Sequence, residues 1–217
     1  MRLALINPNT SAETTALMVK IAAEEAGAYA EVTGYTAASG APLITTPDAL
    51  DAAAEVVAAL APDLVPANAV IVAGFGDPGV AALRAVLSVP VTGIAEASMG
   101  EAAAGGRRFA VATTTPDLRD RIAATAALYG FGGFVGTWTT PGDPAALTAD
   151  APALEAALAE AVAAALREGG AEAVVIGGGP LALAARALSP TAPVSLIEPV
   201  PAAVRLSRAR IAGGILA

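Results

Sequence analysis

Two stretches of the sequence decide the fold: Ala69-Val-Ile-Val-Ala-Gly-Phe-Gly-Asp-Pro78 and Ala173-Val-Val-Ile-Gly-Gly-Gly-Pro180. Each begins with a run of apolar residues and ends in a glycine-rich turn that is followed by proline. An uninterrupted apolar run of this length is typical of a strand that is covered on both faces of a parallel sheet. Proline after the glycines indicates that a helix starts there. Both stretches are therefore predicted to form a buried strand, a turn and the start of a helix.

The two stretches belong to a longer internal repeat. Arg2-Leu-Ala-Leu-Ile-Asn-Pro-Asn-Thr10 is echoed by Arg107-Arg-Phe-Ala-Val-Ala-Thr-Thr-Thr115. Val89-Pro-Val-Thr-Gly-Ile94 is echoed by Ala192-Pro-Val-Ser-Leu-Ile197. The three pairs occur in the same order at nearly the same separation, which predicts a duplicated unit of roughly a hundred residues.

Within each unit, short β-branched runs alternate with alanine-rich helical patterns. Strands are expected near residues 2–6, 29–34, 69–73 and 90–93, and again near 107–112, 131–138, 173–176 and 193–196. Helix starts are indicated by Thr10 with Glu13 three residues later, and by Asp77 before Pro78. The predicted fold class is α/β: two pseudo-symmetric (βα)4 lobes, each a four-stranded parallel sheet with helices on both faces, and a cleft between the lobes.

The two lobes are expected to divide the chain unevenly. The first lobe is predicted to comprise residues 1–98 and 199–217, and the second residues 99–198. The helix from about Pro199 to Ile211 is assigned to the first lobe by analogy with related folds. Gly105-Gly106 is the expected crossing between the halves.

The composition excludes several classes of function. The 217 residues include no cysteine and no histidine, so thiolate, disulfide and imidazole chemistry are all excluded. A net charge of -8 with no basic run argues against a nucleic-acid partner. No metal site is expected, and the glycine triplet matches no nucleotide-binding motif, so we expect no cofactor.

The remaining features suggest where the protein works. No segment resembles a signal peptide or a membrane span, so we expect a cytoplasmic protein without a membrane partner. Alanine-rich surface helices, such as Ala151 to Leu166, favour a homo-oligomer.

Four strand-to-helix turns carry the candidate ligand-binding residues. Ligands of parallel sheets bind beyond the carboxyl ends of the strands, where helices begin with unpaired N–H groups. If the two halves face each other, the turns meet in one cleft rich in N–H and hydroxyl donors, which favours a small anionic ligand. The candidate residues are Asn9, Thr10, Ser11, Gly74, Phe75, Gly76, Thr113, Thr114, Thr115, Gly178 and Gly179.

These turns resemble the signature segments of hydantoin racemases, a branch of the aspartate/glutamate racemase superfamily. The resemblance rests on Ile6-Asn-Pro-Asn-Thr-Ser11, Gly74-Phe-Gly-Asp-Pro-Gly79 and Val174-Val-Ile-Gly-Gly-Gly179, and it extends over essentially the whole chain. It implies a two-lobed fold, cofactor-free operation, and an interlobe site that deprotonates carbon next to a carbonyl. In that family one cysteine follows the third strand of each half, and the resemblance places Gly74 and Gly178 at those positions. Racemisation by two thiols is therefore excluded here.

Carboxylates are the remaining candidates for acid–base catalysis. Asp77 lies in the first glycine-rich turn, and Glu96 and Glu198 follow the fourth strand of each half. Each is also interpretable as a residue that starts a helix, so the catalytic residues stay unknown at this point.

Two hypotheses for the function remain open. The first is a cofactor-free, thiol-independent isomerase or lyase that acts on a small carboxylate or hydantoin-like anion between its lobes. The second is a catalytically degenerate protein that binds such a molecule without transforming it.

Overall fold

The computed structural model describes residues 1–64 and 66–213, and the described residues form two separate four-stranded parallel sheets with helices around them. The predicted fold class is therefore confirmed. The first sheet has the order β2-β1-β3-β4 and contains β1 (Arg2–Asn7), β2 (Glu31–Thr36), β3 (Ala69–Val72) and β4 (Val91–Gly93). The second has the order β6-β5-β7-β8 and contains β5 (Phe109–Thr113), β6 (Phe134–Thr139), β7 (Ala173–Ile176) and β8 (Ser195–Ile197).

Helices follow the strands in both halves. Those of the first half are α1 (Ala12–Ala26), α2 (Pro47–Ala59), α3 (Val80–Val86) and α4 (Ile94–Ala102). Those after the crossing are α5 (Arg119–Leu128), α6 (Pro144–Thr148), α7 (Ala151–Gly169), α8 (Ala182–Leu188) and α9 (Pro199–Gly213). No helix within the described ranges is long and apolar enough to cross a membrane.

The central strands of both sheets are buried along their whole length. All residues of β3 and β7 are inaccessible to solvent, which explains why both strands are apolar at every position. Ile6 of β1 pairs with Val72 of β3, and Ala112 of β5 pairs with Ile176 of β7. Because the paired strands end at adjacent positions, the turns that follow them lie side by side at one edge of each sheet.

The internal repeat extends to an ion pair in each half. Arg84 of α3 donates from Nη2 to Glu96 at 2.7 Å, and Arg186 of α8 donates from Nε to Glu198 at 2.8 Å. In both halves the arginine lies on the helix after the third strand and the glutamate follows the fourth. The first pair joins α3 to α4, and the second joins α8 to the residue that precedes α9.

Helix α9 packs against elements of the first sheet, although it follows β8 in the chain. It contacts α1, α4, β3 and β4. Its Arg210 is 7% exposed and donates to the carbonyl of Val91, to Oγ1 of Thr92 and to both carboxylate oxygens of Glu96. The exact bounds of the two lobes stay a prediction, and Val65 and residues 214–217 lie outside the described residues.

Two of the predicted helix starts are wrong. Helix α1 is capped by Ser11, whose hydroxyl accepts from the backbone N–H of Thr14 at 3.1 Å, and Thr10 is not the cap. Helix α3 begins only at Val80, after Gly79 in a left-handed conformation, so Asp77 does not cap it. The carboxylate of Asp77 instead accepts hydrogen bonds from the first backbone N–H groups of α4.

Candidate functional site

One cleft between the two sheets brings together residues from all four predicted turns. It contains about 600 Å³ of atom-free space, part of which is open to solvent. The first half contributes Pro8, Asn9, Leu43, Ile44, Leu50, Gly74 and Phe75, and the second contributes Thr113, Thr114, Thr115, Leu118, Ile122, Thr148, Gly177, Gly178, Gly179, Pro180 and Leu181.

Most of the predicted ligand-binding residues line this cleft, but three do not. Ser11 is occupied as the cap of α1, and the backbone N–H of Thr10 donates to the carbonyl of Ala41. Gly76 lines a different groove on the side of α2 and α5. The residues that line the cleft as expected are Asn9, Gly74, Phe75, Thr113, Thr114, Thr115, Gly178 and Gly179.

Asn9 is held in a fixed orientation by its neighbours. Its Oδ1 accepts from the backbone N–H of Ser11 at 2.9 Å and from Nδ2 of the fully buried Asn7 at 2.8 Å. The contact with a backbone N–H settles which end of the Asn9 amide is oxygen. Its Nδ2 has no acceptor among the described residues, so a hydrogen-bond donor of Asn9 is free for a ligand in the cleft.

The second half offers hydroxyl and backbone donors. Thr113 donates from Oγ1 to the carbonyl of Gly177 at 2.8 Å and also contacts Oγ1 of Thr115 at 3.1 Å, which ties the two turns of this half together. Thr114 is 4% exposed, and its hydroxyl has no partner within the described ranges. The backbone N–H groups of Thr114 and Gly178 also have no hydrogen-bond acceptor among the described residues. Unpaired donors at strand-to-helix turns are what an oxyanion or carbonyl ligand requires.

The cleft also has an apolar wall, which the sequence did not predict. Leu43 and Ile44 come from the segment between β2 and α2, and Leu118 and Ile122 come from the start of α5 and the turn before it. Leu118 and Ile122 are four residues apart, a spacing that places them on one face of a helix. Phe75 completes the wall. One side of the cleft is therefore polar and the other is hydrophobic.

No side chain that lines the cleft within the described residues carries an ionisable group. Glu96 and Glu198 point away into the ion pairs with Arg84, Arg210 and Arg186, so neither faces the cleft. The positions of Glu96 and Glu198 agree with residues that start helices, and they do not support a catalytic role in the cleft.

Asp77 is buried behind the cleft wall. Its Oδ1 accepts from the backbone N–H of Ala95 and its Oδ2 from that of Glu96, both at 2.8 Å, so it caps α4 from a distant turn. Burial raises the pKa of Asp77 from 3.8 to about 7, against the opposing effect of these two hydrogen bonds and of the nearby Tyr129 hydroxyl. Burial and the nearby Asp77 charge raise the pKa of Tyr129 in turn.

Gly74 and Gly178 occupy positions that do not readily accept a side chain. A Cβ on Gly74 would lie 2.4 Å from Cγ of Pro8 and 3.1 Å from Cγ of Pro78. At Gly178 there is more room, since Leu181 would be 3.4 Å away, but the backbone φ is 141°, a value that residues with a Cβ rarely adopt. The correspondence of these glycines with the family's cysteines stays a prediction from the sequence.

Comparison with known proteins places this architecture in a family. Two solved allantoin racemases are similar over the whole chain. That of Klebsiella pneumoniae has a TM-score of 0.93 and 29% identity, over 100% of this chain and 89% of that one. That of Pseudomonas fluorescens has a TM-score of 0.92 and 27% identity, over 100% of this chain and 93% of that one. An arylmalonate decarboxylase shares the fold, with a TM-score of 0.70 and 18% identity over 99% of this chain and 94% of that one. No curated protein matches the sequence. Residues 3–207 match the Asp/Glu/hydantoin racemase family, and this chain belongs to it.

Proposed function

We propose that this protein binds a small ureide or carboxylate in the cleft between its lobes and does not racemise it by a two-base mechanism. The observation that carries this proposal is the lining of the cleft: free hydrogen-bond donors on one side, an apolar wall on the other, and no ionisable side chain. Of the two hypotheses from the sequence, this lining favours the binding protein.

The polar side of the cleft suits a compound with several carbonyl oxygens. A hydantoin ring or a carboxylate presents such acceptors to the amide of Asn9, the hydroxyl of Thr114 and the backbone N–H of Gly178. The two relatives of known structure at 27–29% identity are described as allantoin racemases, and allantoin is itself a substituted hydantoin. The wall formed by Leu43, Ile44 and Phe75 favours a ligand whose substituent is apolar.

Racemisation by a two-base mechanism needs a base on one face of the carbon and an acid on the other. The three carboxylates that the sequence offers as acid–base candidates all have other partners. Asp77 accepts from the N-terminus of α4, and Glu96 and Glu198 are paired with arginines. Glycine stands at 74 and 178, where a thiol would be needed for the mechanism that the resemblance implies. The side chains that line the cleft therefore contain no proton carrier.

Calorimetric titration with 5-benzylhydantoin, allantoin and phenylmalonate tests the proposal. We expect at least one to bind, with 5-benzylhydantoin preferred to allantoin because of the apolar wall. NMR of the bound compound in deuterated water should show no protein-dependent exchange of its C–H proton and no loss of carbon dioxide. Protein-dependent exchange or decarboxylation would instead support the isomerase or lyase, and failure of all three compounds to bind would contradict the proposal.

A matched pair of variants separates the cleft from the rest of the surface. Thr114→Val removes one cleft hydroxyl with little change in shape, and we expect the Kd for 5-benzylhydantoin to rise roughly three- to tenfold, as is typical for loss of one hydrogen bond. Thr33→Val makes the same change on the exposed strand β2 and should leave the Kd unchanged. Equal effects of the two substitutions would place the ligand elsewhere.

A further inference from the structure

Asp77 joins three parts of the molecule that meet behind the cleft. It belongs to the turn after β3 that supplies Gly74 and Phe75 to the cleft wall. Its carboxylate accepts from the first backbone N–H groups of α4, at Ala95 and Glu96. Tyr129, at the end of α5 in the other half, lies close enough to this carboxylate to influence its pKa.

The backbone around this carboxylate is shaped to receive it. Asp77 has a φ of 55° and is the only residue other than glycine with a positive φ among those the structure describes. Gly93 lies directly beneath the carboxylate, and a Cβ on Gly93 would be 2.1 Å from Cγ of Asp77. A strained residue that a neighbouring glycine accommodates is a feature that function commonly maintains.

We propose that Asp77 is a positioning residue: its carboxylate fixes the turn from Gly74 to Gly79 against α4 and thereby holds the cleft wall in its ligand-binding shape. This inference rests on the proposed function, because it concerns the shape of the same cleft. Asp77 does not line the cleft and takes no part in contacting the ligand.

The ionised form of Asp77 is the one that holds the turn. A carboxylate accepts hydrogen bonds at both oxygens, whereas a protonated carboxyl turns an O–H donor towards a backbone N–H and loses one of the two contacts. The charged or titratable groups facing it are Glu96 of α4 and Tyr129 at the end of α5, with Arg84 of α3 and Arg210 of α9 beyond Glu96. Burial raises the pKa of Asp77 to about 7, so its carboxyl changes charge near neutral pH.

Ligand affinity should consequently depend on pH in a particular direction. If only the protein with ionised Asp77 binds well, the apparent Kd for 5-benzylhydantoin should be about tenfold higher at pH ~6 than at pH ~8. Asp77→Asn should show the weaker affinity at both pH values, because the amide cannot ionise. Gly93→Ala should do the same by displacing the carboxylate while leaving Asp77 itself unaltered.

Asp150→Asn is the matched control. Asp150 caps α7, which does not line the cleft, by accepting from the backbone N–H of Ala153. This variant should bind like the wild type at both pH values. If the ligand itself were the titrating group, Asp77→Asn would keep the same pH dependence as the wild type and Asp150→Asn.

Hydrogen exchange followed by mass spectrometry tests the positioning role without any ligand. Asp77→Asn should speed amide exchange in residues 74–79 and at the start of α4 relative to wild type, and Asp150→Asn should not. If the wild type binds none of the compounds, the proposed function fails and this exchange experiment alone decides the role of Asp77. Equal binding and equal pH dependence of wild type and Asp77→Asn, or unchanged exchange in residues 74–79, would overturn the inference.

Discussion

Placing a cysteine at both 74 and 178 is the change that the family resemblance suggests, and we expect it to destabilise the fold. The two positions resist a side chain for different reasons. At Gly74 the backbone is ordinary, but the ring of Pro8 fills the space at 2.4 Å from the new Cβ. At Gly178 the space is nearly adequate, but φ is 141°.

Each obstacle has a characteristic cost. Overpacking of the kind expected at Gly74 costs about 1–3 kcal/mol. A residue with a Cβ held at the φ of Gly178 costs about 1–3 kcal/mol as well. If the costs add, the double variant loses about 2–6 kcal/mol, a large part of the roughly 5–15 kcal/mol that stabilises an ordinary domain. At about 2–4 °C per kcal/mol for a chain of this size, the Tm should fall by about 4–24 °C.

Alanine substitutions followed by thermal and denaturant unfolding isolate the two causes. Gly74→Ala tests space alone, and Gly178→Ala tests mainly backbone conformation. Gly105→Ala is the control for a positive φ without crowding, and Gly132→Ala for neither, since nothing lies within 4 Å of a Cβ at either position. We expect Gly132→Ala to be close to neutral, Gly105→Ala to cost about 1–2 kcal/mol because of its left-handed backbone, and the two cleft glycines to cost at least as much.

The reasoning would be refuted if Gly74→Ala unfolded at the same temperature as Gly132→Ala, since Pro8 would then give way freely. A double cysteine variant that folds normally and exchanges the C5 proton of a hydantoin would go further. It would show that the cleft is still arranged for two-base chemistry.

Two further predictions concern the buried charges behind the cleft. Burial raises the pKa of Asp77 from 3.8 to about 7, so between these pH values the folded protein keeps a proton that the unfolded chain has released. The contribution of Asp77 to the free energy of unfolding is therefore fully present below pH 3.8. It is lost as the pH rises through about 7, and the total loss is up to about 4 kcal/mol. Urea unfolding at several pH values should show this decline in the free energy of unfolding for the wild type and not for Asp77→Asn. Parallel pH profiles of the two proteins would contradict the assignment of the decline to Asp77. The second prediction concerns Arg210→Met, which removes a nearly buried partner of Glu96 and should lower the free energy of unfolding by about 3 kcal/mol. Arg208→Met, an exposed change on the same helix, should cost at most about 1 kcal/mol, and equal losses in the two variants would mean that burial of the pair is unimportant.

The fold could be predicted from the sequence because its main signal is local. The four-residue apolar runs of β3 and β7 are buried on both faces, and such a run between turn residues is typical of a parallel strand covered by helices. The repeat then fixed the division into two sheets. Edge strands were predicted less accurately: β6 was expected near residues 131–138 and lies at Phe134–Thr139, since its half-buried residues give a weaker pattern.

The cleft was predicted only as far as its turns. Asn9, Thr114 and Gly178 follow buried strands directly, so their convergence could be inferred from the general geometry of parallel sheets. Leu43 and Ile44 lie in a segment without regular structure, whose path across the cleft has no local signal. The partner of Asp77 was missed for a related reason: the N-terminus of α4 is 18 residues further along the chain, and only the completed sheet brings it to the carboxylate.

The position of α9 affects the order in which the chain can fold during synthesis. The residues of α9 are made after both sheets, yet Val200, Ala203 and Val204 are buried in the core that includes α1 and α4. Until α9 emerges from the ribosome, that apolar surface stays exposed and Glu96 has only Arg84 as a partner. Domains that are synthesised first usually also fold first. Here the first lobe can complete its core only after α9 has been synthesised, which is later than all the strands of the second lobe.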